Sequence, residues 1–400
     1  GTKYYYTATA LYDSGSGTLE SSPTTEVSAT ANYLWTTALL ATGGYGNTLK
    51  VDGNGAAHVA FINLSKIQYA TNASGQWVLE DVGTFEGDDT EAAPLALRIG
   101  ASYRIVVYYD NGAQVLRQAT YANSQWQSHS LMTSAHPYMS SLWKGVSLTI
   151  DSSDRLHATA YMNSDAIYYC LNDQEGGAFS RVSLEAVGLP VSSSLVLDSS
   201  NIAHALYKIG ATAREAYIDK PLFDQTGSRD NIRIGGGLSL SDGGDPGRNF
   251  AIGIHPTDSR RHTAIYAGSA AGTSEVAFEY WISDTASVNS TRSRHATIAT
   301  MVPSGSTSLQ RTAISVEATG VVHIAFIDVV SRKVVYATNK ASVLGGGSAD
   351  LFVPVEIESA TEILGGKGAG DLSIAVGANN QIHIMHCSGL GLRHLSATID

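Results

Sequence analysis

The 400-residue chain is short of what most function classes require. Cysteine is nearly absent, with two in all, Cys170 and Cys387. So few exclude a disulfide-stapled scaffold, and their spacing gives no zinc motif. Both fall inside expected strands, Tyr168-Tyr169-Cys170 and His386-Cys387, where a small thiol is an ordinary core residue. A bridge or a reactive site is the alternative. Basic charge is also scarce. Lys and Arg total 25 against 36 Asp and Glu, a net charge of -11. Nucleic acid needs a positive footprint and anionic lipid attracts the same sign, so neither partner is expected. No run of 18 apolar residues exists, so no membrane insertion is expected. No basic stretch followed by an apolar one opens the chain, so Gly1-Thr2-Lys3 reads as a processed terminus. No Gly-rich stretch follows a strand and opens a helix, so Gly235–Gly237 and Gly345–Gly347 read as loops rather than phosphate cradles. No G-x-S-x-G elbow is present.

What is plentiful is glycine, at 40, and tyrosine, at 20, the composition of a turn-rich β protein. The stretch Leu49–Asp81 shows how they are used. Leu49 and Val51, then His58, Ala60 and Ile62, alternate with the period of a pleated strand. Asp52-Gly53-Asn54-Gly55 between them is a hairpin turn, since Asp and Asn accept turn hydrogen bonds and Gly takes positive φ. Ile67–Thr71 is a third strand and Trp77–Val82 a fourth. Four such strands cannot bury both faces alone, so the unit must stack on copies of itself.

The copies are present. Six further units keep the frame, and Tyr336-Ala337-Thr338-Asn339 repeats Tyr69-Ala70-Thr71-Asn72 letter for letter. The seven units span approximately residues 47–82, 94–131, 146–184, 193–229, 250–298, 312–357 and 371–400. The last lacks an outer strand, and the N-terminal run 3–12 is a spare one. The expected fold is therefore all-β and one domain over 1–400. It is a seven-bladed β-propeller of four-stranded antiparallel blades, closed by the N-terminal strand completing the last blade. Closure removes the free edges an open stack would leave.

The frame S-L-x-x-D-x-x-G/N-x-x-H-x-A-Y/F, followed by Y-A-T-N and a Trp, resembles the repeats of secreted bacterial β-propellers with sialidase-like or lectin-like blades. The resemblance implies a propeller, and a location outside the cell, in the periplasm or at the cell surface. It implies no one activity, because propellers host binding, hydrolysis and lyase chemistry alike. The sialidase Asp-box, S-x-D-x-G-x-x-W, is not met: Ser74-Gly75-Gln76-Trp77 lacks its Asp.

Two sets of residues invite a functional reading. His58, His157, His204, His262, His323 and His383 share one repeat position, with Arg104 read at that position in the second unit. A metal needs three or four ligands converging within about 2.1 Å, and equivalent points on a ring diverge. Hydrogen bonding to turn acids such as Asp52, Asp151 and Asp198 is expected instead. No metal or other cofactor is expected. The acidic stretch Glu86–Glu91 offers the hard oxygens calcium takes, without EF-hand spacing.

The second set lies on the links between blades, which vary while the strands stay uniform. Binding residues usually sit on such loops above a rigid scaffold. Tyr33, Trp35, His136, Tyr138 and Trp143 supply rings that cover a sugar face, with packing of the links onto the blades as the alternative. Arg248, Arg311 and Asp371 stand just before inner strands, where a channel mouth is expected, and an arginine there suits a carboxylate. The function expected is a non-catalytic extracellular module presenting these links to a glycan or a surface protein. The alternative is a carbohydrate-active enzyme, a glycoside hydrolase or polysaccharide lyase, with its site at the channel mouth.

Overall fold

The inner hairpins of blades 1, 3 and 4 are each organised by one acid. Asp52 Oδ1 accepts the backbone N–H groups of Asn54 and Ala56, both at 2.9 Å. Asp151 accepts those of Ser153 and Arg155 at 2.8 and 2.9 Å. Asp198 accepts those of Ser200 and Ile202 at 2.8 and 2.9 Å. Three residues past the acid the chain passes through the left-handed region, at Gly55 (φ 85°), Asp154 (61°) and Asn201 (61°). These residue types adopt that region at least cost.

The structure is a computed structural model. It describes residues 34–86, 95–110, 113, 115–132, 147–162, 166–172, 180–186, 193–209, 212–218, 232–234, 238–239, 250–268, 276–283, 292–301, 311–328, 330–340, 352–358, 371–377 and 380–398, with the short strands 3–6, 11–13, 18–20 and 27–30. Seven of their antiparallel sheets are the blades of a β-propeller, and the short N-terminal strands form two further two-stranded sheets. The inner strands are Gly44–Val51, Leu95–Ile99, Ser147–Ile150, Ser193–Leu197, Phe250–Ile254, Thr312–Val316 and Leu372–Val376. Each packs against the inner strands of the blades on either side, and the seventh packs against the first, so the ring is closed. A β-bulge interrupts the outermost pairing in blades 1, 2, 3, 5, 6 and 7. Such bulges increase local twist. In blade 4 the third strand pairs with both Ile232–Ile234 and Leu238–Ser239.

Closure differs from the expectation in one respect. The strand completing blade 7 is Thr36–Ala41, which pairs with Gly391–Thr398. The 3–12 run does not take that place: Lys3–Tyr6 pairs with Val27–Thr30, and Leu11–Asp13 with Thr18–Glu20. The reason is connectivity. In every blade the outer strand leads directly to the next inner strand. Only Thr42 and Gly43 separate Ala41 from the inner strand of blade 1, so Thr36–Ala41 is already in that position.

The blades are held together by repeated contacts. Trp77 of blade 1 meets His394 of blade 7, with ring centroids 4.8 Å apart. Trp126 of blade 2 meets Tyr69 of blade 1 at 5.6 Å, and Phe352 of blade 6 meets Tyr280 of blade 5 at 4.9 Å. Each opens or just precedes an outer strand and covers the aromatic ring of the blade before. Apolar clusters fill the same interfaces. Val106 and Tyr108 join Val59 and Tyr69 between blades 1 and 2. Phe278 and Phe326 stack at 4.1 Å between blades 5 and 6. Between blades 4 and 5, Glu215 stands at the tyrosine position, opposite Leu206. Arg261 of blade 5 reaches it, with Nε 2.7 Å from the carboxylate and both side chains buried.

Candidate functional site

The seven inner strands surround a central channel of about 260 Å³, lined from all seven blades. An inner strand has no neighbour on its lumen side, so its backbone groups there need other partners. Side-chain hydroxyls supply several. Ser147 Oγ accepts the N–H of Leu195 in the next blade at 3.0 Å, and Ser194 Oγ accepts that of Ile252 at 3.3 Å. Ser373 donates to Asn47 Oδ1, and Asn47 Nδ2 donates to the carbonyl of Asp371 at 3.2 Å. That last pair of bonds links blade 7 to blade 1. The described lining consists of hydroxyls, one amide and apolar edges, with no ionisable side chain.

Two of the sequence-predicted residues come together at one end of the channel. Arg311 immediately precedes the inner strand of blade 6 and Asp371 that of blade 7. Their side chains approach to 4.0 Å, Nε to Oδ1, with Asp371 buried and Arg311 largely so. Trp35 immediately precedes the closing strand. It packs edge-on against Tyr336 of blade 6 at 5.4 Å, the position Trp77, Trp126 and Phe352 hold in their blades. Tyr33, His136, Tyr138, Trp143 and Arg248 lie outside the described residues. Of the acidic stretch, Glu86 is described and donates its N–H to Asp110 at 3.1 Å; the rest lies outside.

The repeat histidines are engaged in the blades. His58 Nδ1 lies 2.5 Å from the Tyr69 hydroxyl and Nε2 lies 3.2 Å from Asp52. His157 repeats this with Tyr169 at 2.5 Å and Asp151 at 3.3 Å. His323 does so with Tyr336 and Glu317, both at 2.7 Å. In blade 7 a histidine replaces the tyrosine, and His383 Nδ1 lies 3.0 Å from His394 Nε2. Burial pushes His383 down to about 4 and His394 to about 3, the latter helped by the charge of its neighbour. Burial pushes the Tyr69 hydroxyl up to about 12. Burial also works against the Asp151 carboxylate, but its bonds from His157, Arg155 and Ser153 prevail and hold it at about 2. Among the described residues no three His, Cys, Asp or Glu side chains gather to hold a metal ion. Cys170 and Cys387 are buried and form no disulfide.

One register differs from expectation. Ile105, not Arg104, pairs with Arg98 as His58 pairs with Lys50. The blade 2 hairpin is one residue shorter, closing from Gly100 to Tyr103 where blade 1 closes from Asp52 to Ala56. Arg104 therefore faces back to blade 1. It pairs with Glu80 at 3.2 Å and lies over the rings of Tyr69 and Tyr121 at 4.8 and 4.5 Å.

Sequence reasoning missed the channel residues Asn47, Thr48, Ser147, Ser194 and Ser373, and with them Lys50, two residues beyond Thr48 in the blade 1 inner strand. A signal existed. Thr48, Ser147, Ser194 and Ser373 share one repeat position, the S of the S-L-x-x-D frame.

No protein-family model matches the chain, and no curated protein matches it. Among solved structures it is similar to a mutant of AofleA from Arthrobotrys oligospora, with 12% identity and a TM-score of 0.47 over 76% of this chain and 83% of that one. It is similar to a mutant Aleuria aurantia lectin in complex with Fucα1-6GlcNAc, at 12% identity and 0.49 over 80% and 97%. It is also similar to a structure of the Aleuria aurantia lectin described as a six-bladed β-propeller, at 13% and 0.46 over 82% and 99%. This chain has seven blades.

Proposed function

We propose that this protein is a glycan-binding module that acts outside the cell and takes part of its ligand at the mouth of the central channel. The observation that carries the reading is the channel lining. Hydroxyls and an amide alternate with apolar edges around a small, partly open space. A sugar ring needs both kinds of surface, hydrogen-bonding groups for its hydroxyls and apolar patches for its C–H faces. The volume lies just under the about 300–1,000 Å³ of drug-sized pockets, so it suits one sugar ring rather than an extended chain. Acid–base catalysis calls for two or more titratable groups tuned at the reacting centre. Asp151 and His394, whose shifts are marked, belong to the blade interiors, and no carboxylate lines the described channel.

The test is a glycan-array screen of the intact protein, with a product-release assay run on every hit. Retention of a glycan without new reducing ends or unsaturated product is the expected result. Thr48 lines the channel and its hydroxyl has no hydrogen-bond partner among the described residues. Thr48→Val should weaken binding about 3- to 10-fold, the worth of one hydrogen bond. Turnover, or no bound glycan at all, would overturn the reading.

A further inference from the structure

The inner strands are unusually poor in charge. All seven together hold two cations, Lys50 and Arg98, and no carboxylate. This is the opposite bias to that of a chain with net charge -11.

Arg98 and Lys50 stand at the same level of the ring. Lys50 pairs across its blade with His58, and Arg98 with Ile105 at the matching position. The other five blades place Thr149, Val196, Gly253, Ser315 and Ala375 there. Arg98 is spent on blade 3. It donates to the carbonyls of Asp151 and Ser152 at 2.5 and 2.9 Å, and its Nε meets the Asp154 carboxylate.

Lys50 makes no hydrogen bond or ion pair with any described residue. It is exposed to solvent and stands next to last in the blade 1 inner strand, just past the lined part of the channel. It directly follows Leu49, the last blade 1 residue lining the channel. Crowding by the surrounding blades pushes its ammonium pKa down, with no carboxylate among the described residues to oppose the effect. A cation held in that state gains most from an anion brought to it.

We propose that Lys50 anchors a carboxylate in the central channel, so that the glycan bound there carries an acidic, uronate-type sugar. One fixed positive charge matches one carboxylate, whereas a phosphate near charge -2 would be half-neutralised. Lys50 takes the carboxylate, and the Thr48 hydroxyl beside it on the same strand takes a ring hydroxyl. This inference rests on the glycan reading and adds the chemical class of the ligand.

Methyl glucuronide and methyl glucoside differ only in the carboxylate, so calorimetric titration of the intact protein with each isolates its contribution. The glucuronide should bind about 10- to 100-fold tighter, the range of a hydrogen bond to a charged group. Lys50→Met should abolish that preference without lowering the melting temperature, and Lys50→Arg should keep it. Added salt should erode it. The Lys50 ¹³Cε titration midpoint should rise when the glucuronide saturates the protein. Equal affinities for the two sugars, or a preference that survives in Lys50→Met, would overturn the inference while neutral-glycan binding left the function standing. If neither sugar nor any arrayed glycan bound, the functional reading would fall and this inference with it.

Discussion

Asp151→Asn is the most direct test of how the blades are held. One carboxylate serves four donors: the N–H groups of Ser153 and Arg155, Arg155 Nε at 2.9 Å and His157 Nε2 at 3.3 Å. An asparagine keeps an oxygen for the two backbone groups. It loses the charge that Arg155 and His157 answer. A buried carboxyl held at about 2 instead of its ordinary 3.8 binds no proton in the fold while the unfolded chain already does. Its contribution is therefore full above pH 3.8 and is lost as pH falls through 2. At about 1.4 kcal/mol per tenfold, that contribution is about 2 kcal/mol at pH 7 and about half as much at pH 3. With about 2.1 cal/mol/K of unfolding entropy per residue and 400 residues, the variant should melt about 2–3 °C lower at neutral pH. Differential scanning calorimetry of both proteins from pH 7 to pH 3 reads this directly. Equal melting at pH 7, or a gap that stays constant down to pH 3, would show that the carboxylate is not what holds the turn.

Gly391→Ala tests ring closure. Gly391 has φ +124°, and a Cβ there would lie 1.9 Å from the Ala41 carbonyl of the closing strand. The variant should lose on the order of 2 kcal/mol or more, and the amides of Thr36–Ala41 should exchange faster. Gly53→Ala, where no atom lies within 4 Å, is the control that should change little. His394→Tyr tests blade 7. A histidine kept neutral to about pH 3 in the fold binds its proton near 6.5 when unfolded, so the fold is fully favoured above 6.5 and loses stability below it. The tyrosine of the other blades should flatten that loss in melting curves between pH 7 and pH 5.

The seven units were legible because each carries the same period-2 strands around a short turn of small and polar residues, signals set by local backbone chemistry. The closing strand was not. Lys3–Tyr12 has stronger β-formers than Thr36–Ala41, and propensity carries no record of which strand adjoins the next inner strand. The Arg104 register was hidden by a hairpin one residue short, which moves every later side chain to the other face. Trp35 read as a link residue until Thr36–Ala41 proved to be a strand. Arg311 and Asp371 were legible as a pair because both immediately precede inner strands of adjacent blades. Thr48 and Lys50 were not, because both faces of an inner strand lie against neighbouring blades and the lumen meets its edge. No alternation in the sequence marks an edge.

A repeat protein shows its specialised positions where the repeat breaks, and each break can be asked whether a neighbour compensates it. Ile105 replaces the histidine and joins the apolar cluster between blades 2 and 3. Glu215 replaces the tyrosine and Arg261 crosses the interface to meet it. His394 replaces the tyrosine and His383 bonds it. Arg98 enters the inner ring and Asp154 answers it. Lys50 enters the same level of the ring and no described side chain answers it. Compensated breaks are how one stack tolerates drift, since each keeps a buried polar group paired or replaces it with an apolar one. A charge beside the channel with no partner among the described residues gains nothing for the fold from them, so its partner is best sought among the molecules that enter the channel.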